Sequence, residues 1–168
     1  MQLSSLFRRR AGWDDKDPNK RLKAVEKCRD KATLKKLALT DSSPAVRTAA
    51  VEKINDDATL WEILQNEQNT AVCQAAVRNV ISQRTLSQVA RFRALDIETR
   101  LEALSRITDE EVLEQLALGD SSKSVRMACI KKVRSREILQ QVITEDRSGQ
   151  VANLATEILN GTTGRYSR

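Results

Sequence analysis

The sequence predicts an all-α protein, an α-solenoid of about five and a half two-helix repeats with a period of about 26 residues. Three observations point there. Apolar residues recur at helical spacing rather than in strand-like alternation. Small and apolar columns repeat in phase from residue 17 to residue 159. Five Gly and two Pro in 168 residues are too few for an all-β chain, which needs a turn every 8–12 residues or so.

The elements follow in order. Aligning Pro18-Asn19-Lys20-Arg21 with Pro44-Ala45-Val46-Arg47 sets the register, and one extra residue near Arg91–Leu95 keeps it in phase. Each first helix carries apolar residues at i, i+1 and i+4, as in Ala24, Val25 and Cys28. The leading column, Ala24, Ala50, Ala76, Ala103, Cys129 and Ala155, is uniformly small. It marks a close helix approach where a larger side chain would clash. A break follows, bearing Asp30, Asp56, Ser82, Asp109 and Ser135. All of these can accept from the free N–H groups of a helix start. The second helix has apolar residues at i, i+3 and i+4, as in Leu34, Leu37 and Ala38, with columns through Leu60, Leu86, Leu113 and Leu139. Pro18 and Pro44, preceded by Asp17 and Ser43, suit the first position of the next first helix. A sixth first helix spans about Val151–Leu159. A two-helix unit of this size cannot bury its stripe alone, so stacking on neighbours makes the core. The expected boundaries are a basic N-terminal segment at 1–16, either a short amphipathic helix or disordered, the repeats at 17–159, and a flexible tail at 160–168.

Asp-Ser-Ser-Pro-Ala-Val-Arg-Thr-Ala-Ala-Val-Glu-Lys-Ile at Asp41–Ile54 recurs as Asp-Ser-Ser-Lys-Ser-Val-Arg-Met-Ala-Cys-Ile-Lys-Lys-Val at Asp120–Val133. This pattern resembles a HEAT-like repeat, closest to the short bacterial type that includes the repeats named after phycobilisome lyases. The resemblance implies that the Asp and the Arg help hold successive repeats together, at Asp15/Arg21, Asp41/Arg47 and Asp120/Arg126. The third repeat departs with Glu67 and Cys73, and the fourth keeps Arg100 with a shifted acid, Asp96. An interrupted polar ladder and an irregular bend near Arg91–Ile97 are therefore expected. The short repeat also resembles the leucine-rich repeat variant proteins, some of which carry an iron–sulfur cluster, but the required Cys cluster is absent. HEAT-like solenoids mostly bind other macromolecules. A few act on them, as bilin lyases and alkylpurine DNA glycosylases do, which leaves a lyase-like or glycosylase-like enzyme as a weaker alternative.

Composition narrows the chemistry. With no His there is no imidazole base, histidine triad or His-ligated metal. No nucleophile elbow, P-loop or Gly-rich phosphate loop is present. Adjacent carboxylates such as Asp56-Asp57 and Glu110-Glu111 point in different directions on a helix and are better explained as helix-start residues. No catalytic residue, cofactor or metal is assigned, and the chain is expected not to be an enzyme. Cys28, Cys73 and Cys129 form neither a disulfide framework nor a metal motif. They read as reduced thiols, which points to a reducing compartment and a cytoplasmic location. No stretch is long and apolar enough for a membrane span.

Charge is uneven along the chain. Residues 1–40 are net +7, 41–80 net −3, 81–120 net −3 and 121–168 net +5. A continuous basic stripe for nucleic acid is not evident. One column at the ends of the first helices, Lys27, Lys53, Asn79, Arg106 and Lys132, is mostly cationic. It serves either helix C-termini or an anionic partner. Arg8, Arg9 and Arg10 follow a small apolar face of Leu3, Leu6 and Phe7, a candidate docking segment. Trp61 is a candidate interface anchor. The expected function is a non-catalytic scaffold that binds another protein; nucleic acid or a ribonucleoprotein is the alternative partner.

Overall fold

Capping decides where the helices start. Asp30, Asp56, Asp109 and Ser135 each place a side-chain oxygen on the N–H three residues on, at 2.9, 2.9, 3.3 and 3.3 Å. Asp17 does so for Asn19, two residues on, at 2.9 Å, and Pro18 and Pro44 occupy the first helical turn. Among the described helix ends, only that of Gly149–Leu159 runs into a left-handed glycine, Gly161. Cys28, Val80 and Ile107 are extended cap residues whose own N–H closes the last turn. Each is buried, so the apolar residue that ends the helix also plugs the core. This economy accounts for the low glycine content.

The structure, a computed structural model, describes residues 12–161. The candidate segment with Leu3, Leu6, Phe7, Arg8, Arg9 and Arg10, and the tail beyond Gly161, lie outside the described residues. Among the described residues there are eleven α-helices and no strand. They divide into two compact units, with the boundary between Ser82 and Gln83.

The first unit contains α1 (Pro18–Lys27), α2 (Lys31–Thr40), α3 (Pro44–Val51), α4 (Asp57–Asn66) and α5 (Thr70–Asn79). Helix α3 packs on α1, α2 and α5, while α4 packs on α2 and α5. Val46, Ala50, Leu60, Ala76 and Val80 are fully enclosed.

The second unit contains α6 (Gln83–Arg91), α7 (Ile97–Arg106), α8 (Glu110–Gly119), α9 (Lys123–Ile130), α10 (Arg136–Glu145) and α11 (Gly149–Leu159). Helix α7 packs on α6 and α9, α9 on α8 and α11, and α10 on α8 and α11. Ala103, Cys129 and Ala155, the small column of this unit, are all buried.

The connection from α6 to α7, Phe92–Asp96, has five residues, where the other connections from a second helix to the next first helix have three. The inserted residue is taken up by two tight turns, Phe92 N–H to Val89 O at 3.1 Å and Leu95 N–H to Phe92 O at 3.1 Å. Leu95 is turned into the core, and Asp96 caps α7 through the Thr99 N–H at 2.9 Å and its hydroxyl at 2.7 Å. Asp96→Ala is expected to cost about 1 kcal/mol, read as a shift in urea midpoint.

Candidate functional site

Four first helices, α1, α3, α7 and α9, place an arginine three residues after their first residue: Arg21, Arg47, Arg100 and Arg126. Each reaches forward to the turn that ends the next second helix. Arg21 meets Asp41 with two bonds of 2.8 Å. Arg47 meets Glu67 at 2.6 and 3.0 Å, and Arg126 meets Asp146 at 2.6 and 3.0 Å. These are bidentate forks, the strongest geometry for such a pair. Arg100 pairs with Asp120, both sides being almost wholly buried, and donates a further bond to Ala90 O at 2.8 Å.

The acid and the arginine of one motif do not form an ion pair with each other. The acid of the same motif gives its backbone carbonyl, not its carboxylate, to the following arginine: Arg47 Nη1 donates to Asp41 O, and Arg126 Nη1 to Asp120 O, both at 2.9 Å. The ion pair spans twenty residues, not six. Glu67, read from the sequence as a departure, is a working member, because the longer carboxylate still reaches Arg47. Asp96 is a helix cap, and Asp120 serves Arg100 instead. The same carboxylates also brace their own turns: Asp41, Asp120 and Asp146 accept through Oδ1 the N–H two residues on, at 2.8, 2.8 and 2.7 Å. Cys73 holds the arginine's place on α5; its thiol donates to Glu67 O at 3.7 Å.

Electrostatics follow from this geometry. Burial pushes the Asp41 carboxyl up, but the Arg21 guanidinium and the Ser43 N–H outweigh it, and the net direction is down from 3.8. Glu67 behaves likewise from 4.5, with Arg47 outweighing burial. Arg126 holds Asp146 down directly. A carboxyl whose native pKa is depressed adds stability that is complete above its unfolded value and lost as pH falls through the native one. The urea midpoint should therefore hold at neutral pH and fall progressively as pH drops below 4.5 and then 3.8. A flat acid profile down to pH ~2 would contradict the pairs.

The opposite turns carry a second set of bonds. Lys53 Nζ donates to Val25 O at 2.9 Å and Glu26 O at 2.6 Å. Lys132 Nζ donates to Leu104 O, Ser105 O and Ile107 O at 2.9, 2.7 and 2.6 Å. Asn79 does the same for Val51 O and Ile54 O at 2.9 and 3.0 Å. Each side chain closes the C-terminus of the first helix one pair earlier, satisfying carbonyls a helix cannot satisfy itself. Lys53 and Lys132, candidates for a cationic stripe facing an anionic partner, thus point their ammonium groups at the protein's own backbone. Lys27 is exposed and Arg106 half-buried. Trp61 is half-buried on α4, next to Glu62, which pairs with Lys35 at 2.6 Å.

Sequence reasoning missed a third set. The first residue of a second helix accepts N–H groups from the next break. Asp57 takes Ile81 and Ser82 N–H at 3.0 and 2.8 Å. Gln83 takes Thr108 N–H at 2.9 Å and donates to Arg106 O at 3.1 Å, and Glu110 takes Arg134 N–H. The signal was present as a polar column directly after the capping column.

All three cysteines are free and buried. Burial, with Asp120 adding to it, pushes the Cys129 thiol up to about 12, so it carries almost no thiolate at neutral pH. Among the described residues no group of three or more His, Cys, Asp or Glu is placed to hold a metal ion. No described helix is long and apolar enough to cross a membrane. No family model matches the chain, and neither does any curated protein or solved structure.

Proposed function

We propose that this chain is a HEAT-like repeat scaffold, with two-helix repeats of about 26 residues, that acts by binding another protein. One observation carries the reading. The polar side chains that recur from pair to pair are spent on internal clamps and helix ends, whereas the accessible second-helix positions differ at every pair. They read Lys35/Lys36, Trp61/Glu62, Ser87/Gln88, Glu114/Gln115 and Gln140/Gln141. Constant residues build the scaffold, and variable ones are free to match a non-repetitive partner.

Capture from a cell extract treated with nuclease tests this. The reading expects a protein retained after digestion and lost when Trp61/Glu62 and Gln140/Gln141 are changed to Ala. Tight binding to bare RNA or duplex DNA with a steep salt slope, and no protein retained, would replace it with nucleic-acid recognition. The commitment of Lys132 to three carbonyls argues against that alternative. Lys132→Met should lower the urea midpoint and leave any RNA affinity unchanged.

A further inference from the structure

Helix α1 differs from the later first helices along one side. The third residue of α3, α5, α7, α9 and α11 is Val46, Val72, Thr99, Val125 and Val151 in turn, each 0% exposed. On α1 the third residue is Lys20, whose side chain is 64% exposed. The sixth residue is exposed on none of those helices, whereas Lys23 is exposed on α1. Lys27 belongs to the column of Lys53, Asn79 and Lys132, which close the C-terminus of an earlier first helix. No described first helix precedes α1, and Lys27 is exposed. Lys20, Lys23 and Lys27 stand at i, i+3 and i+7, so they share one face of α1. The acids around them are largely spent. Asp15 accepts the Asp17 N–H at 2.9 Å and the Lys20 ammonium at 3.3 Å. Asp17 and Asp30 cap helices, and Asp41 holds Arg21. Lys16, Lys23, Lys27, Arg29 and Lys36 are exposed and form no ion pair; the uncommitted acids beside them are Asp14 and Glu26.

We propose that this lysine face of α1 binds the phosphate backbone of double-helical nucleic acid without reading its sequence. The inference goes beyond the protein-binding reading and does not rest on it. The charges left over are cationic and lie in a line along a helix, which a row of phosphates complements. The face lacks what other anionic partners use. Neither α1 nor α2 contains an aromatic residue on which the bases of a single strand could stack. Among the described residues the exposed large apolar side chains are Ile81, Ile97 and Leu118, none of them on these two helices. A protein therefore finds no apolar anchor on this face, and a bilayer no side chain that inserts. Exposed ammonium groups meet phosphates while staying partly hydrated, so the contact avoids the cost of burying charge. Lys53 and Lys132, spent on carbonyls, take no part.

The test is a salt titration of the full chain with a labelled DNA duplex of about 20 base pairs, read by fluorescence anisotropy. Each phosphate contact contributes about −0.9 to the slope of log affinity against log salt. Three lysines therefore predict a slope of about −2.7 or steeper, a loss of at least ~40-fold between about 50 and 200 mM salt. Lys20→Gln, Lys23→Gln and Lys27→Gln together should flatten the slope by about 2.7 and leave the urea midpoint unchanged. The matched control is Lys131→Gln, Arg134→Gln and Arg136→Gln, which removes the same charge from exposed positions of the second unit. It should leave the slope as it was. An equal effect of the two triple variants overturns the proposal, since net charge alone would then be acting. So does an absence of binding at the lowest salt, or binding to phosphatidylserine vesicles in place of the duplex. A Glu-rich peptide that displaces the duplex at lower concentration also overturns it, in favour of an acidic protein segment.

Discussion

Asp120→Ala should destabilise the second unit by about 3–5 kcal/mol in urea unfolding, the largest single-residue effect expected in this chain. Arg100 is 2% exposed and Asp120 4%. Truncating the acid leaves a guanidinium that is out of water with its principal counter-charge gone, and Ala90 O alone cannot neutralise it. The Ser122 N–H, which Asp120 also accepts, loses its partner at the same time. The cost belongs to the orphaned charge rather than to the pair. Arg100→Met combined with Asp120→Leu should therefore recover most of the loss, because two apolar side chains carry no such penalty. A single-variant loss below about 1 kcal/mol would show that water reaches the guanidinium and that the pair is a surface one.

Ala76→Leu should cost about 1–3 kcal/mol by overpacking. Ala76 is 0% exposed on α5, which packs against both α3 and α4. Leu is the better apolar residue by transfer energy alone, so the sign tests close packing against simple hydrophobicity. Unchanged or raised stability would mean that slack exists at this contact and that the small column has another cause. Ala103→Leu, equally enclosed in the second unit, should behave in the same way.

Much of the local architecture was legible in the sequence because it rests on short-range rules. The spacing of Ala24, Val25 and Cys28 reports a helical face whatever that face meets. Asp30, Asp56 and Asp109 announce helix starts because a cap bond is made three residues away. The extra residue near Arg91–Leu95 showed as a slip of phase and became the longer turn at Phe92–Asp96.

The clamps were harder to read. Asp41 and Arg47 lie six residues apart in one motif, and motif reading pairs them. Their side chains instead serve different partners, Arg21 and Glu67, each twenty residues away. Glu67 looked like a departure because a pattern compares residue identity, whereas the turn requires only a carboxylate within reach of a guanidinium. The cationic column misled for a related reason: sequence gives the sign of Lys53 and Lys132 but not the carbonyls they close.

The sequence by itself determined the helical class, the cap positions and which faces are apolar, since each depends on neighbours within about one or two turns. Only the tertiary structure decided which charges are spent and which are left over. That depends on contacts between residues some 20–28 positions apart, where the direction and length of each side chain select its partner. Lys53 shows both halves. Its charge was visible from the start, but the carbonyls of Val25 and Glu26 that it closes emerged only once the helices were packed.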